Sequence, residues 1–370
     1  MIGKGRYGCM RRFLFFGVLL LVFWGQAWII YQKAESQAWY MSGYYREPVL
    51  RADSFEEFLA NQKETAGEGL PQAAGWSCRE KVSVQGETEK TEKKTARLWS
   101  IKGDMSLVFA GSLLEGSFPW QEDENGCLIS RGLSLELFGS SRVQGNQVRI
   151  QGKVYRVRGV VNGKESFLAL PAKGEEKLSG FRLKYGEKDS SGGNAREFFY
   201  QMTGNYPEGF FEGNLYSGLA RLLFFLPFCP LLAKNFLKIF SAVKREREGW
   251  RRGFCIVFLL CAFLGGWVLL LVCSFRFSWD YFPSRWSDLS FYPQLIRDKR
   301  ELMKGLEEFV LCLADDSCRE ALQHTGFWSA GATLWAGLLP LDFIFSRKAK
   351  SIVPKAGIMH RLKEKGYSRK

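Results

Sequence analysis

The sequence predicts an α-helical membrane protein with four transmembrane helices and one α+β domain on the extracytoplasmic side. Three observations lead to this fold class. Four apolar blocks are each about long enough to cross a bilayer. Basic residues are concentrated in three of the polar segments that flank those blocks. Residues 32–214, between the first two blocks, alternate strand-like and helix-like patterns over a length that can bury its own core.

Each apolar block is assigned to one transmembrane helix. The first contains Gln26 as its one strongly polar residue, and the third contains no charge. The second carries Arg221, Lys234 and Lys238. For the third and fourth blocks, a buried helix of a soluble core is the alternative. The four predicted helices lie at residues 13–31, 215–240, 254–275 and 326–346.

The fourth block contains an acidic residue, Asp342. Acids within a membrane are candidates for a transport function. However, Asp342 lies near the end of its block, and Arg347 and several lysines follow it. We therefore expect Asp342 to form an ion pair there rather than to take part in transport.

The distribution of charge orients the predicted helices. Residues 1–12 have a net charge of +4, residues 234–252 have +5, and the tail at 347–370 has +8. Because cytoplasmic segments carry the excess of Lys and Arg, we predict a multi-pass cell-membrane protein with both termini and the short link at 241–253 in the cytoplasm. Topology accounts for this charge without nucleic-acid binding, and anionic lipid headgroups are the expected partners of the basic segments.

Residues 32–214 predict a mixture of helices and strands. Helices are expected at "ADSFEEFLANQ", at "RGLSLELFG", where Gly139 ends the helix, and at "DSSGGNAREFFYQMTG". Strands are expected at "ARLWSI", "SLVFAG", "CLIS" and "GFRLKYG", and a hairpin at "QVRIQGKVYRVRGVV" around Gly152. This order excludes a Rossmann-type repeat of strand and helix.

The second extracytoplasmic segment is the loop at 276–325. Five of its apolar residues share one helical face and predict an amphipathic helix that lies on the membrane or on the core domain. They are Leu295, Leu302, Leu306, Phe309 and Leu313.

Residues 115–161 resemble the periplasmic core domain of MacB-type permeases in ABC transport systems. That family combines an acidic turn, a strand, a helix ending in L-F-G, a hairpin between glycines and a closing strand. The matching positions are Leu137, Phe138, Gly139, Gly145, Val148, Ile150, Gly152, Tyr155, Val157, Gly159 and Val160. Ser117 stands where the family often has Arg, and Glu122 or Asp123 supplies the acid. The resemblance implies a MacB-like domain with a core of Leu128, Ile129, Leu137, Phe138, Val148, Ile150, Tyr155 and Val157.

The predicted topology also resembles that of MacB and FtsX relatives, with one difference in the cytoplasmic link. In those relatives the link is long and includes a coupling helix that docks on the ATPase, often with an R-E-I-G signature. Here the link is only "SAVKREREGWRR". Arg247, Glu248 and Gly249 resemble the signature, but the Ile and a following helix are missing. We therefore expect a separate ABC ATPase subunit to contact the basic cytoplasmic ends of the helices, through Arg245, Arg247 and Glu248.

The sequence lacks the motifs of common enzymes. It contains neither HExxH nor GxSxG, and His324 and His360 are its two histidines. "GVVNGKES" has the wrong glycine spacing for a phosphate-binding loop and Glu165 where Ser or Thr is needed. We therefore predict no enzymatic activity, no cofactor and no metal site.

Four of the nine cysteines lie outside the apolar blocks in pairs. Cys78 and Cys127 are the two cysteines of residues 32–214, and Cys312 and Cys318 are the two of the second loop. Disulfides Cys78–Cys127 and Cys312–Cys318 are the simplest pairings on an oxidising side of the membrane. Two pairs of unrelated buried thiols are the alternative.

Two functions are compatible with these features. The family resemblance favours a permease-like or mechanotransmission subunit of an ABC-type transport system, which has no ATPase of its own and forms homo- or hetero-oligomers. The short link favours a non-transporting accessory or sensor protein, anchored in the membrane, whose outer domain binds a partner.

Overall fold

The computed structural model of the chain describes residues 3–66, 70–86, 93–109, 113–186, 192–244, 249–274, 281 and 290–339. The chain forms two compact units. The helical unit comprises Met1–Ile30, Arg221–Phe275 and Gln323–Lys370, and the sheet unit comprises Tyr31–Ala220 and Arg276–Leu322. Each unit therefore brings together segments that are far apart in the sequence.

The elements are numbered along the chain. The helices are α1 (Gly3–Glu35), α2 (Ala52–Ala66), α3 (Met105–Phe109), α4 (Arg131–Phe138), α5 (Gly192–Thr203), α6 (Gly213–Phe225), α7 (Phe228–Lys244), α8 (Gly249–Ser274), α9 (Phe291–Gly305) and α10 (Leu313–Leu338). The strands are β1 (Tyr40–Tyr44), β2 (Leu50–Arg51), β3 (Gln72–Gly86), β4 (Lys94–Gly103), β5 (Leu113–Gly116), β6 (Gly126–Ser130), β7 (Gln147–Ile150), β8 (Lys153–Val161), β9 (Phe167–Pro171), β10 (Lys177–Leu178), β11 (Gly180–Lys184) and β12 (Gly209–Glu212). A 3₁₀ turn at Leu306–Glu308 follows α9.

Three helical stretches among the described residues are long and apolar enough to cross a membrane, at Phe13–Glu35, Gly213–Ser241 and Gly253–Ser274. They coincide with the first three predicted transmembrane helices. Of the fourth, 326–346, the residues up to 338 belong to α10, whereas Asp342 lies outside the described residues. The fourth span therefore stays a prediction.

The second of these stretches is interrupted at its prolines. α6 ends at Phe225 and α7 begins at Phe228, so Pro227 lies in the break and Pro230 in the first turn of α7. Proline has no amide hydrogen to donate, and it is tolerated in the first turn of a helix. The second stretch thus consists of two consecutive helices rather than one.

Aromatic side chains pack the helical unit. Trp24 of α1 stacks on Phe224 of α6 with 5.1 Å between ring centroids, and its indole N–H donates to the Phe224 carbonyl. Phe23 of α1 meets Trp328 of α10 edge to face at 5.1 Å. Gly331 permits this approach, because a Cβ there would collide with the Phe23 ring. α1 is therefore packed against both α6 and α10.

A ten-stranded sheet forms the frame of the sheet unit within the described ranges. Its strands follow the order β12-β1-β11-β3-β4-β9-β6-β8-β5, and β7 pairs with both β3 and β8. Strands β3, β4, β9, β6, β8 and β7 consequently close into a ring, from which β11, β1 and β12 extend. β3 serves both parts, because it pairs with β11 over Gln72–Trp76 and with β7 over Val84–Gly86.

Two hydrophobic cores fill the sheet unit. The ring and α4 enclose the first, which contains five of the eight core residues predicted from the sequence: Ile129, Leu137, Val148, Ile150 and Val157. Leu128 is also fully buried, whereas Phe138 and Tyr155 are half-buried at the edge of this core. The second core lies between the extended strands and the helices α2 and α5, around Phe181 and Phe199.

The local signals of the sequence are confirmed at the C-terminal end of α4 and in the β7–β8 hairpin. Gly139 adopts φ 68° at the end of α4, and its amide donates to the Leu135 carbonyl. Ile150 pairs with Lys153 across a two-residue turn in which Gln151 and Gly152 both have positive φ. That conformation matches the twist of a hairpin.

One stretch of residues 32–214 differs in type from the sequence-based expectation. "SLVFAG" was expected to be a strand, but Met105–Phe109 form the short helix α3. The Asp104 carboxylate accepts a hydrogen bond from the Ser106 amide at 2.8 Å and so satisfies one free N–H at the start of the helix. The Phe109 ring then stacks on Phe167, and the burial of α3 outweighs the strand-like composition.

Candidate coupling junction

The centre of the candidate site is a fully buried arginine, Arg182, in the middle of β11. Its partners across the sheet are Ser42 on β1 and Ala74 on β3, two small residues that leave space for the guanidinium on that face. The Tyr40 ring covers the guanidinium, with 4.5 Å from its centroid to Cζ. This is the distance at which a cation is attracted to an aromatic face.

Asp315, in the first turn of α10, neutralises this charge. Arg182 Nη1 donates to Asp315 Oδ1, and both side chains are completely buried. Burial alone would lower the pKa of Arg182, but the adjacent carboxylate outweighs that effect and holds the pKa above its ordinary value. Arg182 therefore keeps its charge, and its contact with Asp315 joins α10 to the sheet.

Tyr44 on β1 extends the network to the start of α10. Its hydroxyl donates to Asp315 Oδ2 at 2.6 Å and accepts from the Cys312 amide at 3.1 Å. Burial, together with the nearby Asp315 carboxylate, raises the pKa of Tyr44 well above its ordinary value. The neutral phenol can therefore keep both hydrogen bonds over the physiological pH range.

Gln37 connects the same cluster to the ends of α1 and α6. Its Oε1 accepts from Arg182 Nη2 at 2.5 Å. Its carbonyl lies against Gly213, the first residue of α6, where a Cβ would collide with it. The end of α1, the start of α6 and the start of α10 therefore meet around one buried arginine; we call this cluster the coupling junction, defined by Gln37, Tyr44, Arg182, Gly213 and Asp315.

A second buried ion pair lies beside Gly213. Glu212, the last residue of β12, accepts from Lys299 Nζ at 2.5 and 2.6 Å and from the Tyr281 hydroxyl at 2.8 Å. Lys299 belongs to α9, and Leu302 of the same helix packs against the second core. The predicted amphipathic helix is shorter than expected, because α9 ends at Gly305 and contains only Leu295 and Leu302 of the five predicted residues. Leu306 begins the 3₁₀ turn and Leu313 begins α10. α9 lies on the core domain, which is one of the two positions expected for this helix.

The segment after α9 covers the edge strand β12. Leu306 is buried, and the Phe309 ring lies over Gly209, where a Cβ would come within 2.7 Å of it. Arg46 forms ion pairs with Glu208 and Glu308 on the exposed side of this contact. An edge strand otherwise offers free backbone groups to other chains, so this segment also protects the sheet.

Neither predicted disulfide is present, because Cys78, Cys127, Cys312 and Cys318 are all free thiols. Cys78 lies on β3 and Cys127 on β6, and two strands separate them in either direction around the ring. Opposite strands of such a ring are roughly 10 Å apart, whereas a disulfide requires Cα atoms within about 7 Å. The sheet topology therefore keeps this pair apart.

Cys312 and Cys318 are separated by the geometry of α10. The Asp316 amide donates to the Cys312 carbonyl, so the helical hydrogen-bond pattern begins at Cys312. Six residues of α-helix advance by about 9 Å, which again exceeds the span of a disulfide. Cys312 instead accepts a hydrogen bond from Arg182 Nη1 at 3.4 Å. Burial raises the pKa of both thiols to about 12.

The other predicted site residues cannot be located. The proposed ATPase contacts Arg245, Arg247 and Glu248 and the intramembrane acid Asp342 lie outside the described residues. Within the described ranges, no group of three or more His, Cys, Asp or Glu side chains is placed to hold a metal ion.

Sequence reasoning missed the residues of the coupling junction. In "GFRLKYG", the alternation places Phe181 and Leu183 on the core face and Arg182 on the opposite face, which is usually exposed to solvent. Two acids in the first turn of a helix, such as Asp315 and Asp316, are also ordinary. The burial of Arg182 and Asp315 depends on their mutual contact, for which the sequence carries no local signal.

Comparisons with known proteins yield similarity in structure only. No protein-family model and no curated protein matches the chain. The periplasmic region of MacB from Actinobacillus actinomycetemcomitans is similar with 14% identity and a TM-score of 0.38, covering 47% of this chain and 87% of that one. The extracellular domain of the noncanonic ABC-type transporter YknZ from Gram-positive bacteria is similar with 15% identity and a TM-score of 0.35, covering 45% and 95%. These are proteins of the kind that residues 115–161 resemble, and similarity at this level does not assign a function.

Proposed function

We propose that this chain is a permease-like, mechanotransmission subunit of an ABC-type transport system, without enzymatic activity of its own. The observation that carries the proposal is the coupling junction. α1 ends two residues before Gln37, α6 begins at Gly213, and α10 begins two residues before Asp315. The junction therefore connects the ends of three helices to the sheet.

The energetic cost of breaking the buried Arg182–Asp315 ion pair favours movement of the helix ends together with the sheet. Removing one partner of a buried ion pair leaves an uncompensated buried charge, which costs about 3–5 kcal/mol. Sliding α10 along the sheet would require the same separation of Arg182 from Asp315. The three helix ends are thus expected to move with the sheet as one body, which is what a subunit that relays motion needs.

The energy source in this proposal is a separate ATPase subunit. The contacts are expected at the basic link between the second and third predicted spans, through Arg245, Arg247 and Glu248. The sequence of this link resembles part of the coupling signature of MacB and FtsX relatives, which supports this choice of contacts.

Co-purification from native membranes tests the proposal. We expect an ABC ATPase to co-purify with the full chain in mild detergent, and to be lost when Arg245, Arg247 and Glu248 are replaced together by Ala. The matched control replaces three exposed residues of the sheet unit, Lys63, Lys173 and Lys177, by Ala. If no ATPase co-purifies with the wild-type chain, the proposal is wrong, and the accessory or sensor function replaces it.

A coupling test distinguishes the junction from a merely structural contact. We expect the Asp315→Asn variant still to co-purify with the ATPase. Transport should stimulate ATP hydrolysis by that ATPase less than it does with the wild-type chain, because the neutral amide no longer forms an ion pair with Arg182. The control is Asp316→Asn, at a half-exposed position on the same helix turn. Equal stimulation in both variants would contradict the proposed role of the junction.

A further inference from the structure

A cleft beside the coupling junction has no assigned role. It encloses about 750 Å³ between the last turn of α1, the start of α10 and the β8–β9 loop. This volume lies within the range of roughly 300–1,000 Å³ that small-molecule sites occupy. Its walls combine the aromatic residues Trp99, Phe109, Phe167 and Phe309 with charged side chains.

Two cations and one acid that line the cleft have no ion-pair partner among the described residues. Arg97 is paired with Glu165 at 2.5 Å, and Arg319 with Asp316 at 2.7 Å. Lys33 and Lys164 also line the cleft, and neither has an ion-pair partner among the residues that the structure describes. Glu320 also lines the cleft and has no ion-pair partner among those residues. The unpaired side chains Lys33, Lys164 and Glu320 therefore carry a net charge of +1, which favours a negatively charged ligand.

The loop that carries Lys164 is held in place. The Gly132 amide of α4 donates to the Gly163 carbonyl at 2.9 Å, and a Cβ at Gly132 would collide with the Lys164 carbonyl. Ser130 Oγ accepts from the Phe167 amide at 3.1 Å on the other side of the loop. Lys164 therefore projects from a backbone that is fixed before any ligand binds, which reduces the entropy cost of binding.

The position of Lys33 restricts the kind of ligand. The apolar run of the first membrane-spanning stretch ends at Tyr31, and Lys33 follows two residues later, about 3 Å further along the helix. Lysines at this depth lie at the level of lipid headgroups. A ligand that enters from there combines an anionic headgroup with apolar chains, and the aromatic walls offer contacts to those chains.

We propose that the cleft binds an anionic phospholipid from the leaflet at which α1 ends, with its phosphate between Lys33 and Lys164 and an apolar part against Trp99 and Phe309. This inference goes beyond the proposed function and does not depend on an ATPase partner. It places the lipid beside the coupling junction, because Gln37, one of the residues that define the junction, lines the same cleft.

Native mass spectrometry of the full chain in detergent tests this inference. The probes are dioleoylphosphatidylglycerol, dioleoylphosphatidylcholine and inorganic phosphate. We expect selective retention of one phosphatidylglycerol, and about a tenfold loss of its affinity in Lys164→Glu and in Lys33→Glu, as for a lost hydrogen bond to a charged group. Lys177→Glu, an exposed lysine outside the cleft, is the control and should bind as the wild type does.

A second pair of variants blocks the cleft without a change in charge. Ser317 is exposed and lines the cleft, whereas Gln323 is exposed on the same helix and does not line it. We expect Ser317→Trp to lose the bound lipid and Gln323→Trp to keep it, with unchanged thermal unfolding of both.

Three outcomes would overturn the inference. Equal retention of phosphatidylcholine and phosphatidylglycerol would show that the headgroup charge is not recognised. Full competition by inorganic phosphate would identify a free anion as the ligand. Unchanged lipid binding in Lys164→Glu and Ser317→Trp would place the lipid elsewhere on the protein.

Discussion

Two neighbouring acids in the first turn of α10 differ in burial and therefore in their effect on stability. Asp315 is fully buried against Arg182, whereas the pair Asp316–Arg319 is more than one-third exposed. We expect Asp315→Ala to lower the free energy of unfolding by about 3–5 kcal/mol and Asp316→Ala by at most about 1 kcal/mol. Thermal unfolding in detergent, followed by tryptophan fluorescence, compares the two. Similar losses would show that Arg182 finds another partner.

Two buried thiols near the start of α10, together with Tyr44 of the junction, predict that stability depends on pH. The pKa values of Cys312 and Cys318 are raised by burial from the ordinary 9.0 to about 12, and the pKa of Tyr44 is raised as well. Unfolding exposes these groups at their lower ordinary pKa values, so their contribution to stability is fully present below about pH 9 and is lost as the pH rises towards 12. Thermal unfolding between pH 7 and pH 11 measures this decline, which should be smaller in Tyr44→Phe.

The reactivity of the same thiols gives an independent measurement. Because the thiolate is the reactive species, Cys312 and Cys318 should not react with maleimide at pH 8 until the chain is denatured. Peptide mass spectrometry identifies the labelled positions. Recovery of a Cys312–Cys318 or Cys78–Cys127 disulfide from native membranes would contradict the strand order and helix geometry described here.

At the element scale, one serine connects α4 to the neighbouring strand. Ser130 Oγ accepts from the amides of Leu133 in α4 and Phe167 in β9, each at 3.1 Å, and is fully buried. We expect Ser130→Ala to cost about 1–3 kcal/mol, since two buried amides lose their acceptor. Ser140→Ala, where the hydroxyl accepts from the Arg142 amide at an exposed position, is the control and should cost less than about 1 kcal/mol. Equal unfolding temperatures for the two variants would contradict this assignment.

The attachment of α9 to the sheet is tested at the same scale. Lys299 is mostly buried against Glu212, whereas Lys304 is exposed on the same helix. We expect Lys299→Ala to increase hydrogen exchange across Phe291–Gly305 and Lys304→Ala to leave it unchanged, because only the first leaves the Glu212 carboxylate without its cation. Equal exchange in both variants would mean that Leu302 and Leu306 hold the helix by themselves.

For the whole molecule, the number of crossings and the location of the termini remain predictions. The described residues contain three stretches that can span a membrane, and the fourth predicted span extends beyond them. We expect reporter fusions at both termini to be cytoplasmic, since four crossings return the chain to its starting side. A C-terminus on the opposite side would mean that residues 326–346 do not cross.

The sequence by itself determined those features that depend on neighbouring residues. Gly139 marks the end of α4, Gly152 lies in the hairpin turn, and the apolar runs located three helical stretches that are long enough to cross a membrane. Each follows from the backbone preferences or the hydropathy of a few consecutive residues. The motif at residues 115–161 added tertiary information, because its resemblance to the MacB-type core domain also implied which residues share the first core.

Tertiary structure alone decided the features that depend on distant segments. β7 closes the ring by pairing with β3, more than 60 residues earlier, and this pairing separates Cys78 from Cys127. Arg182 and Asp315 are 133 residues apart, and each would be solvated without the other. A period of two residues distinguishes the faces of a strand, but it does not show whether a polar face will be covered by another element. The coupling junction therefore became visible only when the packing of α10 on the sheet was known.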